Sequence, residues 1–188
     1  MVLIKNMKNY KTLWAKVHCD WPDHSIHKPL ESKAHTDNKS KEQYAEYVEA
    51  GHPDKQLQSK FIEVAGELGL DDPYVLINIQ HPGQQMPIHT DLGSARRYHY
   101  MTQEERHSKL ERVFLFLDNW QPGQVIQMQD DMISNWQRGD VMWFDWRNTP
   151  HGTANFGEVS RPLLLITGVR TPKWEQIHNS STLTEINI

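Results

Sequence analysis

The sequence predicts a mainly β protein, a sandwich or barrel of short strands set behind a helical segment. Three observations carry this. Apolar, β-branched runs recur between residues 73 and 170, each short enough for one strand. Gly and Pro punctuate them at HPGQQ, QPGQ, RGD, NTPHG and NFGEVSRP. Before residue 73 the clearest apolar pattern is helical rather than alternating.

Taken in order, residues 1–40 read as irregular, broken around Pro22 and Pro29, with His18, His24 and His27 in polar, solvent-facing surroundings. Residues 40–50 read as a helix ended by Gly51 and Pro53. Leu57, Phe61, Val64, Ala65 and Leu68 fall on one face of a better helix, with Gly69 as its C-terminal cap. PYVLINIQ (73–80) is a strand that runs into the HPGQQ turn. Thr102 and Glu105 have capping-box spacing, which predicts a short helix within 101–112. Strands follow at 113–117, 125–128, 140–144, 152–154 and 162–169. The polar stretch after Arg170 reads as a loosely held tail. One domain over 1–188 is expected, with 1–72 as irregular and helical support, 73–170 as β core and 171–188 as tail.

Composition excludes several classes. The chain has 188 residues, a net charge of -4, 37% hydrophobic and 23% charged residues, which is neither disordered-like nor membrane-like. Mild acidity argues against a nucleic-acid partner, since that needs a clustered basic face, which a local basic loop such as SARRYHY would have to supply. No apolar run approaches a bilayer span, and MVLIKNMKNYK is too short in apolar residues for a signal peptide. Cys19 is the only cysteine, so the simplest setting is a reducing cytoplasm. Eleven His hint at metal or proton chemistry, while seven Trp point to an aromatic core or a binding surface.

The tripeptide HTD occurs twice, and its setting separates the copies. His35-Thr36-Asp37 lies in a polar run where Asp37 and Ser40 are candidates for capping a helix. His18-Cys19-Asp20 repeats the His-x-Asp spacing in a setting only slightly better. His89-Thr90-Asp91 follows a strong strand and a Pro-Gly turn; in extended chain its His and Asp project to one side, ready to clamp a cation. His151, between Pro150 and Gly152 after the GDVMWFDW strand, is the candidate third ligand. Two imidazoles and one carboxylate on one face of a metal suit ferrous iron used with oxygen. Arg161, ten residues further on, starts an apolar strand. It is either a surface charge or a two-pronged anchor for a dicarboxylic acid. Arg112 is either an exposed charge at the end of the capped helix or a pocket residue that holds an acid. Asn78 and Gln80 alternate with Ile77 and Ile79 and so face the pocket side; Asn155 follows His151 closely enough to orient a ligand. The insertion at 92–112, with Arg96, Arg97, Tyr98 and Tyr100, is either a substrate-selecting lid or a solvated loop.

The order of strand, HTD, strands, GDVMWFDW, PHGTAN, a ten-residue step to Arg161 and an apolar strand resembles the iron(II)/2-oxoglutarate-dependent dioxygenase superfamily. The resemblance covers residues 74–170, about half of the chain. TANFGEVSRPLLL is also similar to aspartyl/asparaginyl-hydroxylase-like and small phage or bacterial members. The resemblance implies a double-stranded β-helix (a cupin-like jelly roll) braced by N-terminal α-helices. It implies Fe(II) held by His89, Asp91 and His151, and 2-oxoglutarate held at its far carboxylate by Arg161. It also implies O2-dependent hydroxylation of a small-molecule or peptide substrate, with release of succinate and CO2. Asp91 matters to the outcome, because halogenating relatives carry a small residue there. Two other classes compete: a cupin-like metal-dependent isomerase or hydrolase, which keeps the triad without needing Arg161, and a non-enzymatic β-sandwich binding module with a Trp-lined face.

Overall fold

The computed structural model of the chain describes residues 10–19, 46–49, 55–91, 96–180 and 182–188. Its centre is eight strands that wind between two sheets. β3 (Leu70–Gln80), β5 (Leu110–Phe116), β8 (Asp140–Phe144) and β10 (Arg161–Arg170) lie in the larger sheet. β4 (Gln85–His89), β6 (Gln124–Met128), β7 (Asp131–Ile133) and β9 (His151–Asn155) form the smaller, in the order β4-β9-β6-β7. This is the double-stranded β-helix, or jelly roll.

The larger sheet runs β11-β1-β8-β5-β10-β3-β2, with β1 (Tyr10–His18), β2 (Glu46–Glu49) and β11 (Thr184–Asn187) added at its edges. Its two faces are sorted by alternation. Phe114, Phe116, Met142, Phe144 and Leu163 point toward the smaller sheet and pack with Ile126, Met128, Trp136 and Trp146. Val75, Ile77, Ile79, Val113, Leu115, Leu164 and Ile166 point outward under two helices. α1 (Lys55–Glu67) supplies Phe61, Val64, Ala65 and Leu68 to that outer layer, as the helical spacing predicts. Gly69 ends it at φ +79°, a backbone that L side chains rarely adopt. A Cβ there would come within 2.3 Å of the Trp174 backbone nitrogen. α2 (Gln103–Lys109) starts with the expected capping box: Thr102 accepts from Glu105 N, and Glu105 accepts from Thr102 N.

Four expectations need correction. Residues 10–18 are not irregular: they form β1, and its alternation is hidden by a register shift between Lys11 and Ala15. Residues 46–49 are not helical; they pair antiparallel with β3 as a four-residue edge strand, so sheet pairing overrides local propensity. The rest of that expected helix lies outside the described residues, as do His24, His27, Asp20 and the first HTD. β4 escapes the strand pattern because Pro87 sits in it, which an edge strand tolerates. The tail is not loose. Thr171 caps α3 (Pro172–Asn179), and β11 pairs parallel with β1. Trp174 is buried against Trp14, with ring centres 4.4 Å apart, so the strand core is completed from both sides of 73–170.

Removing that indole tests the last correction. Trp174→Ala should lower unfolding free energy by about 3–5 kcal/mol, read as a shift of the urea midpoint. A midpoint equal to wild type would mean that α3 lies outside the cooperative core.

Candidate metal centre

β4 and β9 pair antiparallel with His89 directly opposite His151. The register shifts between Met86 and His89, so the ladder is irregular immediately before the histidine. Gly152 makes the close approach possible, since a Cβ there would stand 3.0 Å from the Met86 carbonyl oxygen. The two imidazole centres end 4.5 Å apart. Asp91 lies just past β4, where its N–H donates to the Trp146 carbonyl at 3.2 Å. Its Oδ1 is 3.5 Å from His89 Nε2, and its Oδ2 is 3.6 Å from His151 Nε2. One donor atom from each of the three residues lies within 4.8 Å of the others.

Hydrogen bonding settles which ring atoms face the centre. His89 Nδ1 is 2.7 Å from the Pro87 carbonyl oxygen, and His151 Nδ1 is 2.9 Å from that of Thr149. A carbonyl only accepts, so each Nδ1 carries the proton and each Nε2 is the ligand atom. Bonds of about 2.1 Å at right angles place donor atoms about 3 Å apart. Each imidazole is within about half an ångström of that spacing from its nearer Asp91 oxygen, and the three-atom set, spread over as much as 4.8 Å, closes further when one cation binds all three residues. Exposure is graded: the His151 side chain is 3% exposed, Asp91 15% and His89 37%, so the His89 side faces solvent. Phe144 meets the His151 ring edge-on at 4.9 Å and closes the inner side.

The ionisation states fit the same picture. Burial raises the Asp91 carboxyl, but the His89 hydrogen bond and the charges of Arg112 and the two histidines outweigh it, leaving its pKa at about 2. The Asp91 hydrogen bond raises His89 against an opposing burial effect. Burial dominates at His151 and lowers it, so that ring is neutral at pH values where His89 still holds a proton.

Arg112 enters the site rather than facing solvent. It is 2% exposed, and its Nε donates to Thr167 Oγ1 at 2.8 Å. Nη1 pairs with Asp91 Oδ2, and the guanidinium lies 4.4 Å from the Trp146 ring centre. Arg161 is also interior, at 1% exposure, and donates to the Val125 carbonyl at 3.3 Å. It pairs in register with Gln80, whose amide donates to Thr153 Oγ1 at 3.1 Å. Thr153 is two residues from His151 on the same strand face, so Arg161 belongs to the same lining.

Asn78 stands opposite Leu163 and faces the interior; among the described residues its buried Oδ1 meets no hydrogen-bond donor. Asn155 departs from the expectation that it orients a ligand. Its amide donates to the Gln80 and Val159 carbonyls, both at 2.8 Å, and its oxygen accepts from Gly157 N, so it ties the β9–β10 turn to β3. The insertion is not a loose lid from Arg97 to Arg112. The buried Tyr98 hydroxyl lies 2.8 Å from both the Asp72 and the Thr167 carbonyl oxygens and shares its one proton between them, and Arg97 and Tyr100 both bind the Asp72 carboxylate. Sequence reading passed over Trp146, Thr149 and Thr167. Each acts through a backbone carbonyl, a ring face or a hydroxyl, and residue type does not advertise such a role.

Fold and site together define a double-stranded β-helix with a candidate His-Asp-His metal centre at one end of the smaller sheet. No protein-family model matches the chain, and no curated protein matches it. Solved structures similar to it include a prolyl-4-hydroxylase from Pseudomonas putida. That match has 17% identity over 71% of this chain and 76% of the other, with TM-score 0.47. A cupin protein from Bacteroides fragilis shows 17% identity over 58% and 75%, with TM-score 0.36. The Cnp3 cupin domain of Schizosaccharomyces pombe shows 9% identity over 56% and 59%, with TM-score 0.36.

The ionisation pattern sets a pH dependence for cation binding. Asp91 stays charged throughout the neutral range, and His151 is already neutral, so His89 is the proton competitor. Apparent affinity for Co(II) should be level above the raised His89 pKa. Below it, affinity should fall by about tenfold per pH unit, with one proton released per ion bound. Calorimetry in buffers of different ionisation heat reads both quantities. Asp91→Ala should weaken binding more than about a hundredfold; affinity independent of pH would remove His89 from the ligand set.

Proposed function

We propose that the protein is a non-haem iron(II) oxygenase that couples oxidative decarboxylation of 2-oxoglutarate to succinate and CO2 with hydroxylation of a C–H bond. The observation that carries this is the convergence of two Nε2-directed histidines and one carboxylate, with the buried cation Arg161 on the same interior lining. The donor set fits ferrous iron: three protein ligands on one face leave three positions for a chelating cosubstrate and oxygen. Iron, when bound, supplies the oxygen activation. The chain supplies placement and exclusion of water.

Each residue then has a stated task. His89, Asp91 and His151 hold the metal, His151 from the dry side and His89 from the solvent side. Arg161 takes the far carboxylate of 2-oxoglutarate through charge-assisted hydrogen bonds, strengthened by an interior that excludes water. Phe144 and Phe114, packed edge-on near the His151 ring, keep bulk water from the inner side. Substrate approaches from the exposed His89 side and is a small molecule or a peptide side chain. The net charge of -4 disfavours a nucleic acid. A cytoplasmic setting suits both ferrous iron and the single cysteine.

A cupin-like isomerase or hydrolase would use the same three ligands without requiring Arg161, and one substitution separates the readings. With iron(II) added anaerobically, 2-oxoglutarate should produce a visible charge-transfer band. Admission of oxygen should then yield succinate. Arg161→Met should weaken 2-oxoglutarate about a hundredfold, matching the loss of a charged hydrogen bond, while iron affinity holds. Succinate formation that survives this substitution unchanged would sink the cosubstrate assignment; no band in wild-type protein would sink the oxygenase reading.

A further inference from the structure

Arg112 is the buried cation in contact with the triad, and its surroundings are more ordered than an ion pair requires. Nη1 takes Asp91 Oδ2, while Nε is tied 2.8 Å away to Thr167 Oγ1 on β10. The guanidinium face rests on Trp146, whose carbonyl receives the Asp91 N–H. Asp91, Arg112 and Trp146 therefore close a ring that grips the aspartate at its backbone and at one carboxylate oxygen. The ring is braced from behind. Arg147 lies over the same indole at 4.4 Å, and its Nη2 donates to the Arg106 and Leu110 carbonyls at the end of α2.

Stability does not explain this arrangement. Desolvating a guanidinium costs several kcal/mol, and an apolar side chain of similar volume is often at least as stable in such a place. The protein itself engages the Arg112 Nε, Nη1 and one face of the guanidinium. What the contacts achieve is an asymmetry between two otherwise equal oxygens. Oδ2 pairs with the cation Arg112 and lies 3.6 Å from His151 Nε2, while Oδ1 faces His89 Nε2 at 3.5 Å. An ungripped aspartate can swing both oxygens onto one metal ion and take up an additional coordination position.

We propose that Arg112 is a positioning residue that occupies Asp91 Oδ2 and so restricts Asp91 to one metal-bound oxygen, keeping three positions of the bound cation open. The idea rests on the metal-centre reading given above. It assigns Arg112 to the aspartate, and leaves Arg161 as the interior cation for a cosubstrate. It also predicts an unusual sign. Arg112 repels the metal while it limits the carboxylate, so its removal should tighten metal binding even as it closes a coordination position.

Mn(II) tests this without turnover, because fast-exchanging water on the bound ion enhances water-proton relaxation in proportion to the open positions. Wild-type protein should bind Mn(II) with three exchangeable waters. In Arg112→Met the enhancement should fall by about one third, as three open positions become two, and affinity should rise on the order of tenfold. Thr167→Val leaves the charge but removes the Nε anchor; it should show a smaller fall in the same direction, and it carries the test if Arg112→Met does not fold. Circular dichroism and melting report the fold of each variant. Wild-type relaxation enhancement in folded variants would overturn the proposal, as would loss of Mn(II) from them, since then Arg112 would merely keep Asp91 in place. Failure of wild-type protein to bind Mn(II) is a separate result: it would remove the metal centre itself, and this proposal with it.

Discussion

The register of β4 against β9 is the constraint on which the site depends. His89 and His151 face one another because they are partners across that pair, and a slip of one residue would send one of them to the opposite face of the sheet. Several features fix the register. At Gly152 a Cβ would crowd the Met86 carbonyl and Ile88, so a larger residue would push β4 away from β9. The Gln80 amide reaches Thr153, and the Asn155 amide reaches back to Gln80, so β9 is tied to β3 as well as to its own neighbours. Gly83 N donates to the Asn155 carbonyl, and Asn155 N to that of Gln84, which anchors the turn leading into β4. Residues that touch no ligand thus determine where the ligands stand.

A second feature is the charge balance of the interior. Arg112 and Arg161 lie inside the β-helix at near-zero exposure, and Arg147 lies close behind. Asp91 is the carboxylate that meets Arg112. The Val125 carbonyl accepts from Arg161 and the Arg106 and Leu110 carbonyls accept from Arg147, and the Trp146 ring lies beside two of the cations. Such an interior tolerates a dication poorly unless anionic groups arrive with it. A dianionic, chelating cosubstrate would restore the balance.

Legibility varied along the chain for physical reasons. Residues 162–169 announce themselves because both faces of that strand are buried, which gives a near-continuous apolar run, and residues 73–80 do so through β-branched and apolar residues that run into a Pro-Gly turn. The helix ending at Gly69 was readable from spacing and from the one residue type that accepts its backbone angle. β1 was not, because a bulge breaks its alternation, and residues 46–49 were not, because an edge strand needs only one partner and little hydrophobicity. α3 carried its signals, a Thr cap followed by Pro, but the polar residues around Trp174 masked them. At the site, His89, Asp91 and His151 could be singled out from local setting, and the structure brings them together. Arg112 is different: its partners lie 21 residues before it and 55 after it, so only tertiary structure chooses between its two readings.

The parallel pairing of β11 with β1 has a consequence for how the molecule is made. Val17 stands beside Ile186, and Gly69 accepts hydrogen bonds from Thr171, so the outer layer closes only when distant segments meet. A nascent chain emerging from the ribosome can pair β3 with β2 early, but Trp14 lacks its Trp174 cover until a segment some 160 residues further along has emerged. Assembly of this sheet is therefore a late, slow, non-local event, and the period before it completes is when the chain is most exposed to aggregation.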